Sequence, residues 1–264
     1  REKSSKLMIN ILSHIVEFRN GESGLHVLHI QTITEMLLRQ LVQKENNRYA
    51  LSKEQIRMIT TASALHDIGK ISIPDEILNK PGRLTAEEFA VIKGHSMAGA
   101  NMLSELPLDQ KEEPLVKTAY EICRWHHERY DGGGYPDGLK GEEIPVSAQV
   151  VALADVYDAL TSERCYKDAY SHEKAIEMIL AGQCGAFNPL MLECLLDISS
   201  SLKKKMGYKS KERYEQTDLS DIASRFHDFE MDSSEKIVQQ LEFERMRYNF
   251  LAEGSRNIVF TYTI

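Results

Sequence analysis

No Cys-x-x-Cys pair occurs among Cys123, Cys165, Cys184 and Cys194, so neither a zinc knuckle nor a thioredoxin-like redox motif is indicated. The spacing fits small buried hydrophobes in a reducing compartment. No apolar run approaches the roughly 20 residues that span a bilayer, and no secretory signal peptide is expected. Positive charge is also short: the formal net charge is −8, which argues against general binding to DNA or RNA backbones. Any anionic substrate must therefore meet positive charge locally. Internal repeats and low-complexity tracts are missing, and no run of alternating strand residues appears before the last few positions. Gly-Lys-Ser/Thr is absent, so the glycine-rich stretch near residue 133 is not a triphosphate cradle.

What is present is helical periodicity over a chain of 264 residues, 42% hydrophobic and 27% charged, long enough for a core that needs no disulfides. "KLMINILSHIVEF" and "ESGLHVLHIQTITEMLLRQLVQ" predict two amphipathic helices separated at Asn20-Gly21. "SKEQIRMITTASALHD" opens with Ser52 three residues before Gln55, a capping-box pattern, and is expected to run helical into His66-Asp67. Further helices are expected around 85–105, 114–127, 147–160, 172–181 and 189–204. "HERYDGGGYPDGLKGEEIP" interrupts them, since its glycines and prolines cannot continue a helix. From about Ser200 the composition turns polar and charged, then helical again through "SEKIVQQLEFERMRYNFLAEG". This divides the chain into a main all-α domain, 1–205, and an extension, 206–264.

Polar residues stand at costly places within these apolar helices. His66 and Asp67 follow a run of small and apolar residues, with Lys70 close behind, and burying such groups requires compensation. A metal would supply it. Glu22 and His26 share a helix face, His95 lies in "KGHSMAGANML", His126 and His127 are adjacent, and Asp155 sits in the apolar "VVALADVYDAL". Imidazole and carboxylate donors suit iron, manganese, zinc or nickel, and helical di-metal sites gather such donors from separate helices. Each residue also has an ordinary explanation. A lone buried histidine is usually hydrogen-bonded in a core, Asp155 alone would serve as a cap, and Lys70 would pair with Asp67. His14, His29, His172 and His227 are left in that ordinary class.

The blocks together resolve the choice. Glu22-x3-His26, "HDIGKISIPDEILNKPGRL", "HSMAGANML", "HHERYDGGGYPDGLKGEEIP", "ADVYDALTSERCYK" and "GAFNP", in this order from about Phe18 to Leu196, resemble the HD-GYP family, a branch of the HD metal-dependent phosphohydrolases. The resemblance implies an HD-type helical bundle with a glycine-rich loop. It also implies a ligand set of Glu22, His26, His66, Asp67, His95, His126, His127 and Asp155, with Asp67 as the bridge between ions. Two to three divalent ions, iron or manganese, are implied; a glutamate at position 22 goes with three. Three ions bring about +6 against about −3 from the carboxylates, a cationic site in an acidic protein.

The implied reaction is hydrolysis of cyclic di-GMP to pGpG or GMP in bacterial signalling. Catalytic roles fall to Asp67 and Lys70, and substrate contacts to Arg164, Lys167, Tyr135 and Gly134. Arg offers a planar fork and Lys a point charge for phosphate. Without the motif, exposed Arg164 and Lys167 would read as solvated; for Tyr135 the alternative is a ring packed inward, and substrate contact is the favoured reading. Another cyclic dinucleotide such as cyclic GMP-AMP, or a silent receptor or partner-binding module, are the alternatives. Gln149 stands where the family usually has Arg, so a supporting ion pair is expected to be missing, and "GQCGAFNP" is a longer variant of the closing block. A cytoplasmic location is expected, with no membrane segment in the chain. So are fusion to other signalling domains, a linker helix at 232–252 that would also pair two chains into a homodimer, and a terminal β-rich run at Ile258–Ile264 that resembles the opening of a PAS-type sensory domain.

Overall fold

A computed structural model describes residues 2–19, 25–45, 47–162 and 169–207. Among them the secondary structure is entirely helical. The α-helices are α1 (Glu2–Arg19), α2 (Leu25–Leu41), α3 (Lys53–Ala62), α4 (Asp75–Leu78), α5 (Ala86–Ser104), α6 (Leu108–Lys111), α7 (Pro114–Trp125), α8 (Val146–Thr161), α9 (His172–Leu180) and α10 (Pro189–Gly207). The expected linker helix and terminal strand lie outside the described residues.

Local chemistry sets several of these boundaries. Ser52 caps α3 in a reciprocal box with Gln55, and Thr85 caps α5 in the same way with Glu88, each pairing two backbone donors that the helix leaves open. Pro114 opens α7 at a position where its missing N–H is not needed. One expectation is corrected. The α-helix does not continue into His66-Asp67; it ends at Ala62 and gives way to 3-10 turns at Ser63–Leu65 and Ile68–Ser72. The tighter winding carries His66 and Asp67 on the bend between the two turns.

The core is built around α8, buried on most of its circumference through Val150, Val151, Leu153, Ala154, Tyr157 and Leu160, as expected of a central helix. It packs on α2, α7 and α9, while α5 packs on α7 and on the Ile68–Ser72 turn. Each fully buried Leu or Ile contributes about 1.5–3 kcal/mol. Cys123 and Cys194 are buried free thiols, as expected, and Cys184 is half-buried. Cys165 lies outside the described residues.

Gly69 shows why the turn after Asp67 must pass so close to α5. A Cβ at this position would stand 1.9 Å from the His95 carbonyl oxygen and 2.4 Å from the Gly99 nitrogen. The contact is backbone against backbone, so no side chain can move aside to relieve it. It fixes Asp67 beside His95. Arg19 secures the same turn from the other side, donating to the carbonyls of Lys70, Ile71 and Ile73 and to Asp75.

Candidate metal centre

Four buried imidazoles converge on Asp67. His26 comes from α2, His66 from the bend after Leu65, His95 from α5, and His126 from the C-terminal cap of α7. Their Nε2 atoms form two close pairs, His26 with His66 at 3.4 Å and His95 with His126 at 3.3 Å. The Asp67 carboxylate lies between the pairs. Its Oδ2 is 3.2 Å from His66 Nε2, and its Oδ1 is 3.2 Å from His95 Nε2 and 3.9 Å from His126 Nε2. Two groups with ligand atoms close enough to share an ion follow from this arrangement: His26, His66 and Asp67, and His95, His126 and His127.

The hydrogen bonds behind the rings decide their tautomers. His66 Nδ1 faces the Ser63 carbonyl at 3.0 Å, His95 Nδ1 that of Ile92 at 2.7 Å, and His126 Nδ1 that of Ile122 at 2.8 Å. A carbonyl only accepts, so each Nδ1 carries the proton and donates. His26 Nδ1 likewise donates to Asp158 Oδ2 at 2.6 Å. With the rings neutral, every Nε2 presents a lone pair, and in each pair two lone pairs face one another. A cation between them removes the repulsion, so the donor set fits the divalent ions that the HD-GYP resemblance implies.

The electrostatics agree. Burial, reinforced by His66 and His95, lowers the pKa of His126 to about 3, and burial also holds His127 well below its ordinary value. Both rings are thus neutral near pH 7 and ready to act as ligands. Burial opposes ionisation of Asp67, but Lys70 and His66 outweigh it and keep the carboxyl well below the usual range. His66 differs from His126 and His127: burial disfavours its charge, yet the Asp67 carboxylate leaves its pKa raised, so in the metal-free protein Asp67 favours a proton where a cation would bind. Lys70 Nζ is 2.7 Å from Asp67 Oδ2, the ion pair anticipated as its ordinary role.

Asp155, on α8, points toward the first group, its Oδ1 3.8 Å from His26 Nε2. The His127 ring lies 4.0 Å from that of His126 and 5.0 Å from that of His95, centroid to centroid. Tyr135 stacks on His127 at 4.8 Å with planes 25° apart, so one face of its ring is occupied by a candidate ligand. Gly134 has a reason independent of substrate, because a Cβ there would stand 2.3 Å from the Arg129 nitrogen and 2.4 Å from the Glu128 Cα. Glu22, Arg164 and Lys167 lie outside the described residues.

One residue escaped the sequence reading. Asp158, 1% exposed, accepts from both His26 Nδ1 and His29 Nδ1 at 2.6 Å, and from Ser162 Oγ at 2.8 Å. Burial opposes its charge, but these two histidines hold its pKa far below the usual carboxylate range. It orients His26 and fixes its tautomer. The available signal was a matched spacing, His26 with His29 on one helix and Asp155 with Asp158 on another. At Gln149 the ion pair is missing, as expected. In its place the Gln149 amide joins a hydrogen-bond network, donating to the Ile144 carbonyl at 2.8 Å and accepting at 2.8 Å from Asn188 Nδ2, which also reaches Tyr49 and the Glu142 carboxylate. Asn188 belongs to the "GAFNP" block, which thereby braces the start of α8.

The sequence matches the family model for the HD domain over residues 6–187. It is 40% identical over 201 residues to a probable cyclic di-GMP phosphodiesterase of Vibrio cholerae, covering 74% of this chain and 44% of that protein. It is 39% identical over 197 residues to the 3'3'-cGAMP-specific phosphodiesterase 2 of the same organism, covering 75% of this chain and 35% of that protein. The chain thus spans less than half the length of either relative. A solved cyclic GMP-AMP-specific phosphodiesterase of V. cholerae superposes with a TM-score of 0.54 at 18% identity, over 80% of this chain and 52% of that one, a likeness of fold. The convergent histidines, the shared aspartate and the extent of the match lead to one assignment: the chain belongs to the HD domain family, with the motif set of its HD-GYP branch.

Proposed function

We propose that this chain is a metal-dependent phosphodiesterase that hydrolyses cyclic di-GMP to linear pGpG, with GMP as a further product. The observation that carries the proposal is the Asp67 carboxylate set between two imidazole pairs whose lone pairs converge. Two to three ions, iron or manganese, would be held by His26, His66, Asp67, His95, His126, His127 and Asp155, with Glu22 completing a third position. When bound, such ions supply an acidified water and neutralise phosphoryl oxygens.

The chain's own residues do the rest. Asp67, spanning both groups, fixes their separation. Lys70 orders Asp67 and brings an ammonium next to the phosphate that enters there, where it stabilises developing negative charge. Asp158 keeps His26 in the tautomer that faces inward. Arg164 and Lys167 are proposed to hold phosphate, and Gly134 and Tyr135 to line the approach, with Tyr135 also buttressing His127. Attack by water opens one phosphodiester of the ring, and the ribose 3′-oxygen leaves with a proton.

Relatives named for cyclic GMP-AMP support a second reading, in which the mixed dinucleotide is the preferred substrate. The complete set of donors counts against a silent receptor. A cytoplasmic location suits a nucleotide second messenger. Residues 206–264 are proposed as an extension that links the enzyme to other signalling domains or pairs two copies of it. Chromatography of products after incubating the metal-loaded protein with cyclic di-GMP or cyclic GMP-AMP tests the proposal. Faster conversion of cyclic di-GMP supports it, faster conversion of the mixed dinucleotide supports the second reading, and conversion of neither rejects both.

A further inference from the structure

Lys93 has no role in the centre described above. It lies on α5, two residues before His95, and its ammonium stands 5.3 Å from the centroid of the Phe89 ring and 5.7 Å from that of Tyr135. No carboxylate among the described residues pairs with it. Phe89, one helical turn away, is 49% exposed. Tyr135 connects these residues to the centre, since its ring is stacked at 4.8 Å on His127. The row Phe89, Lys93, Tyr135, His127 therefore runs from solvent to the candidate metal ligands. Its outer end combines a half-exposed aromatic ring with an ammonium that no carboxylate among the described residues neutralises.

We infer that Phe89 and Lys93 form a base-recognition subsite for a purine of the cyclic dinucleotide. The inference rests on the proposed phosphodiesterase reading of the centre. One base stacks on the Phe89 ring, a sequence-tolerant contact because every base has a π-face. Lys93 then supplies discrimination. An ammonium is a donor only. Guanine offers it two acceptors on one edge, O6 and N7, whereas adenine places the donor N6 amino group beside N7. The pair selects guanine over adenine. Tyr135, with one face against His127, is the wall that holds the Lys93 ammonium at this position and is not itself the stacking platform.

Equilibrium binding and initial-rate kinetics with cyclic di-GMP and cyclic di-AMP, on the metal-loaded protein and on Lys93→Met, Lys93→Arg and Phe89→Ala, test the assignment. Lys93→Met should weaken cyclic di-GMP binding about ten-fold, seen in Kd and KM more than in kcat, with little change for cyclic di-AMP. Lys93→Arg should keep the guanine preference, because Arg also donates to O6 and N7. Phe89→Ala should weaken both ligands about ten-fold. Three results overturn the inference while leaving the proposed function standing. These are wild-type affinity in both Lys93→Met and Phe89→Ala, wild-type affinity in either one alone, and an equal loss for both ligands in Lys93→Met, which would make Lys93 a phosphate contact. A wild-type protein that neither binds nor hydrolyses any cyclic dinucleotide rejects the function and the subsite together.

Discussion

Replacing Asp158 with asparagine tests whether the residue behind the ligand governs the ligand. The carboxylate accepts from His26, His29 and Ser162 and is buried. Asparagine has the same shape but only one acceptor oxygen. If that oxygen stays on His26, the amide nitrogen faces His29 Nδ1, and the His29 proton must move to Nε2. His29 Nε2 is buried without a hydrogen-bond partner, so the shift leaves a buried donor unpaired, at a cost of about 1–3 kcal/mol. His26 meanwhile loses an ionised acceptor and becomes a weaker base. Outer-sphere partners of this kind carry about 10–100-fold in metal affinity, or roughly 1.4–2.8 kcal/mol. Calorimetric titration of metal-free protein with Mn(II) reads the second quantity, and urea unfolding of the same metal-free protein reads the first. A variant that binds Mn(II) as tightly as the wild type would refute the positioning role of Asp158.

Gly69→Ala should destabilise the fold by about 3 kcal/mol or more, because the added Cβ meets the backbone of α5 and cannot be accommodated by a rotamer change; an unchanged urea midpoint would contradict this packing. Glu22→Ala should lower the metal content by one ion while leaving the others, and an unaltered count would remove Glu22 from the ligand set. Arg164→Ala should raise KM for cyclic di-GMP with a loss of about 1.5–3 kcal/mol, the worth of a hydrogen bond to a charged group; unchanged binding and turnover would remove the phosphate contact.

The contrast between Ser52 and Gly69 shows where sequence reasoning succeeds. The Ser52–Gln55 box is a contact between neighbours in the chain, so the spacing alone announces it, and α3 begins where expected. The reason for Gly69 lies in α5, some thirty residues away, and no local pattern reports that approach. The end of α3 was missed for a related cause. The small residues Ala62, Ser63 and Ala64 suit a 3-10 turn as well as an α-helix, and the choice is made by packing. At the centre, the residue types of His66, Asp67, His95, His126, His127 and Asp155 were readable because such groups are costly in apolar helices. Asp158 was as conspicuous chemically as Asp155. Its assignment needed the register between α2 and α8, which sets Asp158 against the Nδ1 side of His26 and Asp155 against the Nε2 side.

The central claim is that the imidazole pairs around Asp67 hold the ions that make this chain a phosphodiesterase. Elemental analysis of anaerobically purified protein, run beside cyclic di-GMP turnover before and after chelation, tests it most directly. The expected result is two to three ions per chain, iron or manganese, with turnover lost on chelation, restored by either metal, and absent from Asp67→Ala whatever metal is supplied. Full turnover by metal-free protein, or by Asp67→Ala, would contradict it.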